Sequence, residues 1–170
     1  LSVLAPAEII PLNSMIIRAP IDGIIQNIYV KPNQEVKSGL LLFSFDDTVI
    51  RNEYEISKKS LELALAEYDL AELKILTGDE KSKDNIAVLK AQKERKSAET
   101  DYMAALLERS RVYAKKSGIA LFSDVNDWVG KPVMVGEKIM SIADMKSAEA
   151  EIHLPVSDAV NLDMGAEVLI

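Results

Sequence analysis

Apolar residues recur in alternating steps of four and three along Ile50, Tyr54, Ser57, Leu61, Ala64, Tyr68, Ala71 and Ile75. That spacing is the seam of a coiled coil. A second row, Ile56, Leu63 and Leu70, lies beside the seam and widens the apolar face. Further on, Val88, Ala91, Ala98, Tyr102, Ala105 and Val112 keep the same rhythm, interrupted by Arg95 and Arg109. The whole stretch 47–112 contains no proline, and its one glycine is Gly78. The pattern predicts two long antiparallel helices that turn at Thr77-Gly78-Asp79. Gly78 takes the left-handed conformation that closes the first helix, and Asp79 or Ser82 caps the second. With roughly 30 residues per arm at 1.5 Å each, the hairpin is about 45 Å long, too long to lie inside a domain of this size. Across its seam Tyr54, Leu61, Tyr68 and Ile75 are expected to face Tyr102, Ala98 and Ala91.

On either side of the hairpin the pattern changes to short alternating runs with turn residues between them. Ser14–Arg18 reads as a strand, 19–23 as a turn, and Ile24–Val30 as a strand with Ile28 and Val30 on one face. Residues 31–34 form another turn, and 35–39 lead into a strand over Leu40–Phe45. The same sequence of features returns after the hairpin. Ser117-Gly118-Ile119-Ala120 matches Asp22-Gly23-Ile24-Ile25, Pro132-Val133-Met134-Val135-Gly136 matches Glu35-Val36-Lys37-Ser38-Gly39, and Lys138–Ile142 matches Leu41–Phe45. About two extra residues sit near Asn126-Asp127-Trp128 in the second copy. Two short β halves separated by a helical insertion are predicted to pair into one sandwich. Ile24, Ile28, Val36 and Leu42 should pack against Ile119, Val133, Ile139 and Ile142.

The ends of the chain predict a further β unit. Residues 1–13, with Pro6 and Pro11, read as an extended edge piece. Ala148, Ala150, Ile152 and Leu154 alternate, Pro155–Val160 looks like a short helix, and 166–170 like a strand. The predicted division is therefore 14–46 plus 113–145 for the split domain, 47–112 for the hairpin, and 1–13 plus 146–170 for part of another β-domain. The chain begins at Leu1 and ends within an apparent strand, so it reads as a piece of a longer protein.

Composition narrows the chemistry. The 170 residues carry a net charge of −7, which argues against nucleic acid as the main partner. Most of the charge belongs to the hairpin, where pairs such as Glu55–Lys59 are expected on a solvated face. There are no cysteines, hence no disulfide and no thiolate site. No apolar run reaches the about eighteen residues that cross a bilayer. His153 is the one histidine, without neighbours to complete a metal site. Asp46-Asp47 are expected to serve a helix start, and Asp124 and Asp127 are weak cation candidates. Trp128 reads as a lid on the sandwich or an exposed contact. No nucleophile elbow, catalytic histidine pair or phosphate loop is present, so neither enzyme activity nor a cofactor is expected.

The chain resembles the membrane fusion proteins, or periplasmic adaptor subunits, of the haemolysin-secretion type. The resemblance rests on 19–23 through 36–39 to Phe45-Asp46, and on Gly118 through Gly130-Lys131-Pro132-Val133 to Ile142-Ala143-Asp144. It rests also on the hairpin between them and on the tail with Pro155-Val156-Ser157-Asp158 and Gly165-Ala166-Glu167-Val168. It implies a mixed α and β fold: a split lipoyl/biotinyl-like β-sandwich, an inserted coiled-coil hairpin and the start of a β-barrel domain. It implies a role in bacterial export, joining an inner-membrane transporter to an outer-membrane channel. It implies also a homo-oligomeric ring, in the periplasm, anchored to the inner membrane through segments outside this sequence. The tip would dock the channel, through Ile75, Leu76, Thr77, Gly78, Asp79, Glu80 and Ser82. Here the tip departs from the family's arginine, leucine and serine or threonine pattern, since no arginine stands at the required distance. The alternatives are a biotinyl or lipoyl carrier domain, with Lys146 of Asp144-Met145-Lys146 as the imitation of its modified lysine, and a coiled-coil assembly protein.

Overall fold

The structure, a computed structural model, describes residues 7–11, 13–144 and 148–152. In chain order the strands before the hairpin are β1 (Ala7–Pro11), β2 (Met15–Arg18), β3 (Gly23–Ile28), β4 (Glu35–Val36) and β5 (Leu41–Phe45). The hairpin is α1 (Thr48–Leu76) and α2 (Glu80–Arg109). After it come β6 (Arg111–Tyr113), β7 (Gly118–Leu121), a 3-10 turn at Val125–Asp127, β8 (Pro132–Val133), β9 (Lys138–Ala143) and β10 (Ala148–Ile152).

Two four-stranded sheets, ordered β2-β9-β7-β4 and β6-β5-β3-β8, form the sandwich, and each mixes strands from both halves of the chain. The internal repeat of the sequence becomes a two-fold exchange in space. Gly23 pairs with Val133 in one sheet as Gly118 pairs with Val36 in the other. Backbone bonds outside the strands repeat it: Ala19 donates its N–H to Glu137 O and its carbonyl accepts from Gly136 N–H, as Ala114 does with Leu40 and Gly39. Asn33 and Gly130 occupy equivalent turns, both with positive φ (64° and 81°), and each donates its N–H into the opposite half, to Ala120 O and Ile25 O. Gly118 has no room for a side chain, because a Cβ there would lie 2.4 Å from Ala143 O.

The buried core comprises Ile25, Val36, Leu42, Phe43, Phe45, Ala120, Val133, Ile139, Met140 and Ile142, with Phe43 and Phe45 edge-to-face at 5.9 Å. Strands β5 and β9 lie inside their sheets and read as almost unbroken buried runs, including the equivalent serines Ser44 and Ser141. A half-sandwich strand with both faces covered loses the alternation expected of an exposed one. Tyr29 lies over the outside of β5, its hydroxyl hydrogen-bonded to that of Ser44 at 3.1 Å.

The expected core needs two corrections. Ile24 is half exposed, and Ile25 is buried in its place. The cause is a bulge: β3 pairs Ile25 with Phe45 but Asn27 with Ser44, so one extra residue shifts the phase of the strand. Ile28 stays packed on the core because it lies beyond the bulge. In β7, Ala120 is the fully buried residue, while Ile119 is only half buried. Val36, Leu42, Val133, Ile139 and Ile142 are buried as predicted.

The helical stretch ends before Val112. Arg109 closes α2, and Val112 lies in β6 opposite Phe43. Ser110, fully buried, makes the change of direction. Its hydroxyl donates to Leu107 O at 2.6 Å and its carbonyl accepts from Phe45 N–H at 2.8 Å. At the other helix end Asp47 occupies the cap position without capping and pairs instead with Arg51. Asp46 takes the capping bonds, accepting from the Thr48 N–H and hydroxyl. Beyond the sandwich β1 and β10 form an antiparallel ribbon, with Ala7 opposite Ile152 and Pro11 opposite Ala148. No closed barrel occurs among the described residues. Lys146, His153, the 155–160 segment and the 166–170 strand lie outside the described residues.

Candidate functional site: the helical hairpin

Apart from its base, where Ile50 and Leu106 pack on the sandwich core, the hairpin packs on itself. On α1 the seam is the predicted one: Ile50, Tyr54, Ser57, Leu61, Ala64, Tyr68, Ala71 and Ile75 are the residues turned from solvent, with Ala64 and Ala71 fully buried. The second row is different. Ile56, Leu63 and Leu70 are more than half exposed, and Val49 extends their row by seven residues toward the base.

On α2 the predicted seam is wrong. Val88, Ala91, Ala98 and Tyr102 face solvent. The row facing α1 is Ser82, Ile86, Leu89, Lys93, Lys96, Thr100, Met103 and Leu107, which keeps the alternation of four and three two residues out of phase. Four polar members sit in it because each finds a partner, Ser82 with Asp79 at the start of the helix. Lys93 Nζ stands 3.9 Å over the ring of Tyr68. Thr100, the one buried residue of the helix, donates to Lys96 O at 2.8 Å and to Ser57 O across the seam at 3.1 Å. Lys96 pairs with Glu99 at 3.0 Å. The outer charges pair along each helix, Lys58 with Glu55 at 2.8 Å and Lys59 with Glu62 at 3.1 Å, rather than Glu55 with Lys59. Glu55 accordingly raises the pKa of Lys58. A hydrogen bond to Glu72 raises that of Tyr68, with desolvation and the surrounding acids adding to it.

The tip is closed by two motifs. Gly78 adopts φ +94°, its N–H donates to Ile75 O at 3.1 Å, and Asp79 N–H donates to Lys74 O at 3.0 Å. These are the two bonds of a Schellman cap. Asp79 then caps α2, accepting from Lys81 N–H and from the Ser82 hydroxyl, both at 3.1 Å. The Thr77 hydroxyl donates to Lys74 O at 2.9 Å, and Glu80 pairs with Lys83 at 2.8 Å. Thr77, Asp79 and Ser82 thus hold the turn together, and Ile75 sits half-buried at the end of the seam. What points outward is Leu76, 83% exposed, with Leu73 beside it, more than half exposed. Leu73 was not among the predicted tip residues; its signal was an apolar residue off the seam in the last turn of α1.

The remaining candidates resolve into structural roles. Asp124 caps the 3-10 turn, accepting from Asn126 N–H at 2.8 Å. Trp128 packs against the core as a lid, with Lys131 Nζ 4.4 Å above its ring. Among the described residues no group of three or more His, Cys, Asp or Glu side chains could hold a metal ion. No described helix is long and apolar enough to cross a membrane.

The chain superposes on a MacA–MexA chimera that carries the Pseudomonas aeruginosa MexA α-hairpin domain (TM-score 0.69, 23% identity, 84% of this chain and 51% of that one). It also matches the membrane fusion protein Spr0693 from Streptococcus pneumoniae R6 (TM-score 0.66, 12% identity, 87% and 68%). A third match is the periplasmic adaptor protein EmrA (TM-score 0.59, 11% identity, 89% and 78%). The chain therefore has the fold of the membrane fusion proteins, also called periplasmic adaptors. It spans about half the length of the chimera. No family model matches the sequence, and no curated protein does.

Proposed function

We propose that this chain is the adaptor part of a bacterial export or efflux system. It works in the periplasm, held to the inner membrane by segments outside this sequence, and links an inner-membrane transporter to an outer-membrane channel as a ring of copies. Its work is done by shape and interfaces, with no bond-making step. The observation that carries this reading is the pairing of one folded sandwich with a hairpin about 45 Å long that, beyond its base, buries only its own seam. A stalk of that kind spans distance. The helices occupy the junction where a carrier domain would present its modified lysine, which disfavours the carrier reading.

The docking surface at the far end is the tip, Ile75, Leu76, Thr77, Gly78, Asp79, Glu80 and Ser82. Leu76 and Leu73 make its apolar contact, while Asp79, Glu80 and Lys81 set electrostatic register. The test is the double variant Leu73→Glu, Leu76→Glu, which leaves the bonds of the turn in place. Export in cells should fall to the level of a gene deletion, and the melting temperature of the purified variant should stay within a degree or so, because surface changes away from the core cost little. Normal export with an unchanged melt would place the contact elsewhere.

A further inference from the structure

A cleft of about 440 Å³ opens at the foot of the hairpin, where both helices meet the edge strand β6. Arg51 and Tyr54 line it from α1, where a spacing of three puts them on one face. Leu107 and Glu108 line it from the last turn of α2, and Arg111 and Tyr113 from β6. Alternation along the strand explains the last pair. Val112, between them, packs on the sandwich core, so its two neighbours point to the other side. The size falls within the range of small-molecule sites, about 300 to 1,000 Å³.

The lining has a definite chemistry. Two tyrosine rings and Leu107 give it apolar surface, with Tyr54 and Leu107 half-buried. Around them hydrogen-bond donors outnumber acceptors. The Arg111 side chain forms no ion pair among the described residues. Arg51 gives one amino group to Asp47, which does not line the cleft, and its guanidinium has further N–H donors to offer. The tyrosine hydroxyls add to these. The opposing carboxylate is Glu108, which does not reach Arg111 within ion-pair distance among the described residues. Nearby Lys58 is already paired with Glu55 and stands 4.8 Å over the Tyr54 ring. An unpaired guanidinium beside aromatic rings suits a molecule with an acidic head and an apolar body.

We propose that this cleft binds a small amphipathic anion, an aromatic or aliphatic body carrying one carboxylate, sulfonate or phosphate. The acidic head bonds to Arg111 and Arg51, and the body lies against Tyr54, Tyr113 and Leu107. The bound molecule touches α1, α2 and β6 at once. It therefore braces the hairpin against the sandwich, at a joint that Ile50 and Leu106 otherwise hold. The cleft takes such a ligand whether or not the chain serves export.

The test uses indole-3-propionate, tryptamine and tryptophan, which share a ring and differ in charge. Titrated calorimetrically into the full-length protein, indole-3-propionate should bind once per chain with a Kd of about 1 mM or tighter, as its size implies. Arg111→Gln should weaken binding about tenfold or more, because a charge-assisted bond is lost. Glu108→Gln should tighten it several-fold by removing the competing carboxylate. Tryptamine should not bind. Both substitutions fall at exposed positions, so the melting curves should match the parent's. If that of Arg111→Gln does not, Tyr113→Ala replaces it and should also weaken binding. Saturating indole-3-propionate should raise the temperature at which the helical signal melts in the parent and leave it unchanged in Arg111→Gln. No measurable binding to the parent, or equal affinity in parent and variant, overturns the proposal. Tryptamine bound as tightly as indole-3-propionate also overturns it, since the rings alone would then carry the binding. Weaker binding in Glu108→Gln, with tryptophan preferred over indole-3-propionate, overturns the anion in favour of a zwitterion.

Discussion

The sandwich and the hairpin are held together by different means. The sandwich buries large side chains from both halves of the chain, and its turns exchange backbone bonds across a two-fold relation. The hairpin buries little: its fully buried members are Ala64, Ala71 and Thr100, and three of its seam positions on α2 are lysine or threonine. Stability therefore concentrates in the sandwich, while the hairpin relies on helix propensity, caps and a narrow seam. A stalk whose outer faces are free for other proteins has little apolar surface left for its own core.

One feature of the chain separates the two regions in solution. Its single tryptophan, Trp128, sits on the sandwich, whereas nearly all helical signal comes from the hairpin. Tryptophan fluorescence and far-ultraviolet circular dichroism thus report the two parts independently. The largest expected effect is in the sandwich. Phe43→Ala, at a fully buried position, should cost about 3–5 kcal/mol and move the fluorescence transition in urea accordingly. A shift under about 1 kcal/mol would mean that the sandwich core is not the main source of stability.

A smaller and more local effect is expected in the seam. Ala64 lets the two helices approach, and Ala64→Phe should overpack that point by about 1–3 kcal/mol. The helical signal should then melt earlier while the Trp128 transition stays in place. If both transitions move together, the two regions are one cooperative unit.

The smallest effect concerns pH. The hydroxyl and N–H of Thr48 hold the Asp46 carboxyl below its ordinary value of 3.8. The folded state therefore binds that proton less readily than the unfolded chain. The resulting stabilisation is present above pH 3.8 and is lost as pH falls through the lower, folded value. Asp46→Asn should lower the melting temperature slightly above that pH, and the difference from the parent should shrink below it. A difference that persists unchanged in acid would show that the cap works through shape and not through charge.

What the sequence determined by itself was whatever a repeating pattern fixes locally. The seam of α1 was legible because tyrosine, leucine and isoleucine mark most of it. The turn at Gly78 was legible because only a residue tolerant of positive φ closes a helix in that way. The paired halves were legible because the same glycines and valines return in the same order. The tertiary structure decided what depends on a partner. In α2 the row with most valine and alanine lost to a row containing Lys93 and Thr100, since a two-helix groove is half open and polar groups there bond across it or along its edge. In β3 one bulged residue exchanged Ile24 for Ile25, and a bulge leaves no mark in hydrophobic alternation until the opposite strand is in place. At the tip the roles of Thr77, Asp79 and Ser82 depended on where their hydrogen bonds went, which spacing along a chain does not contain.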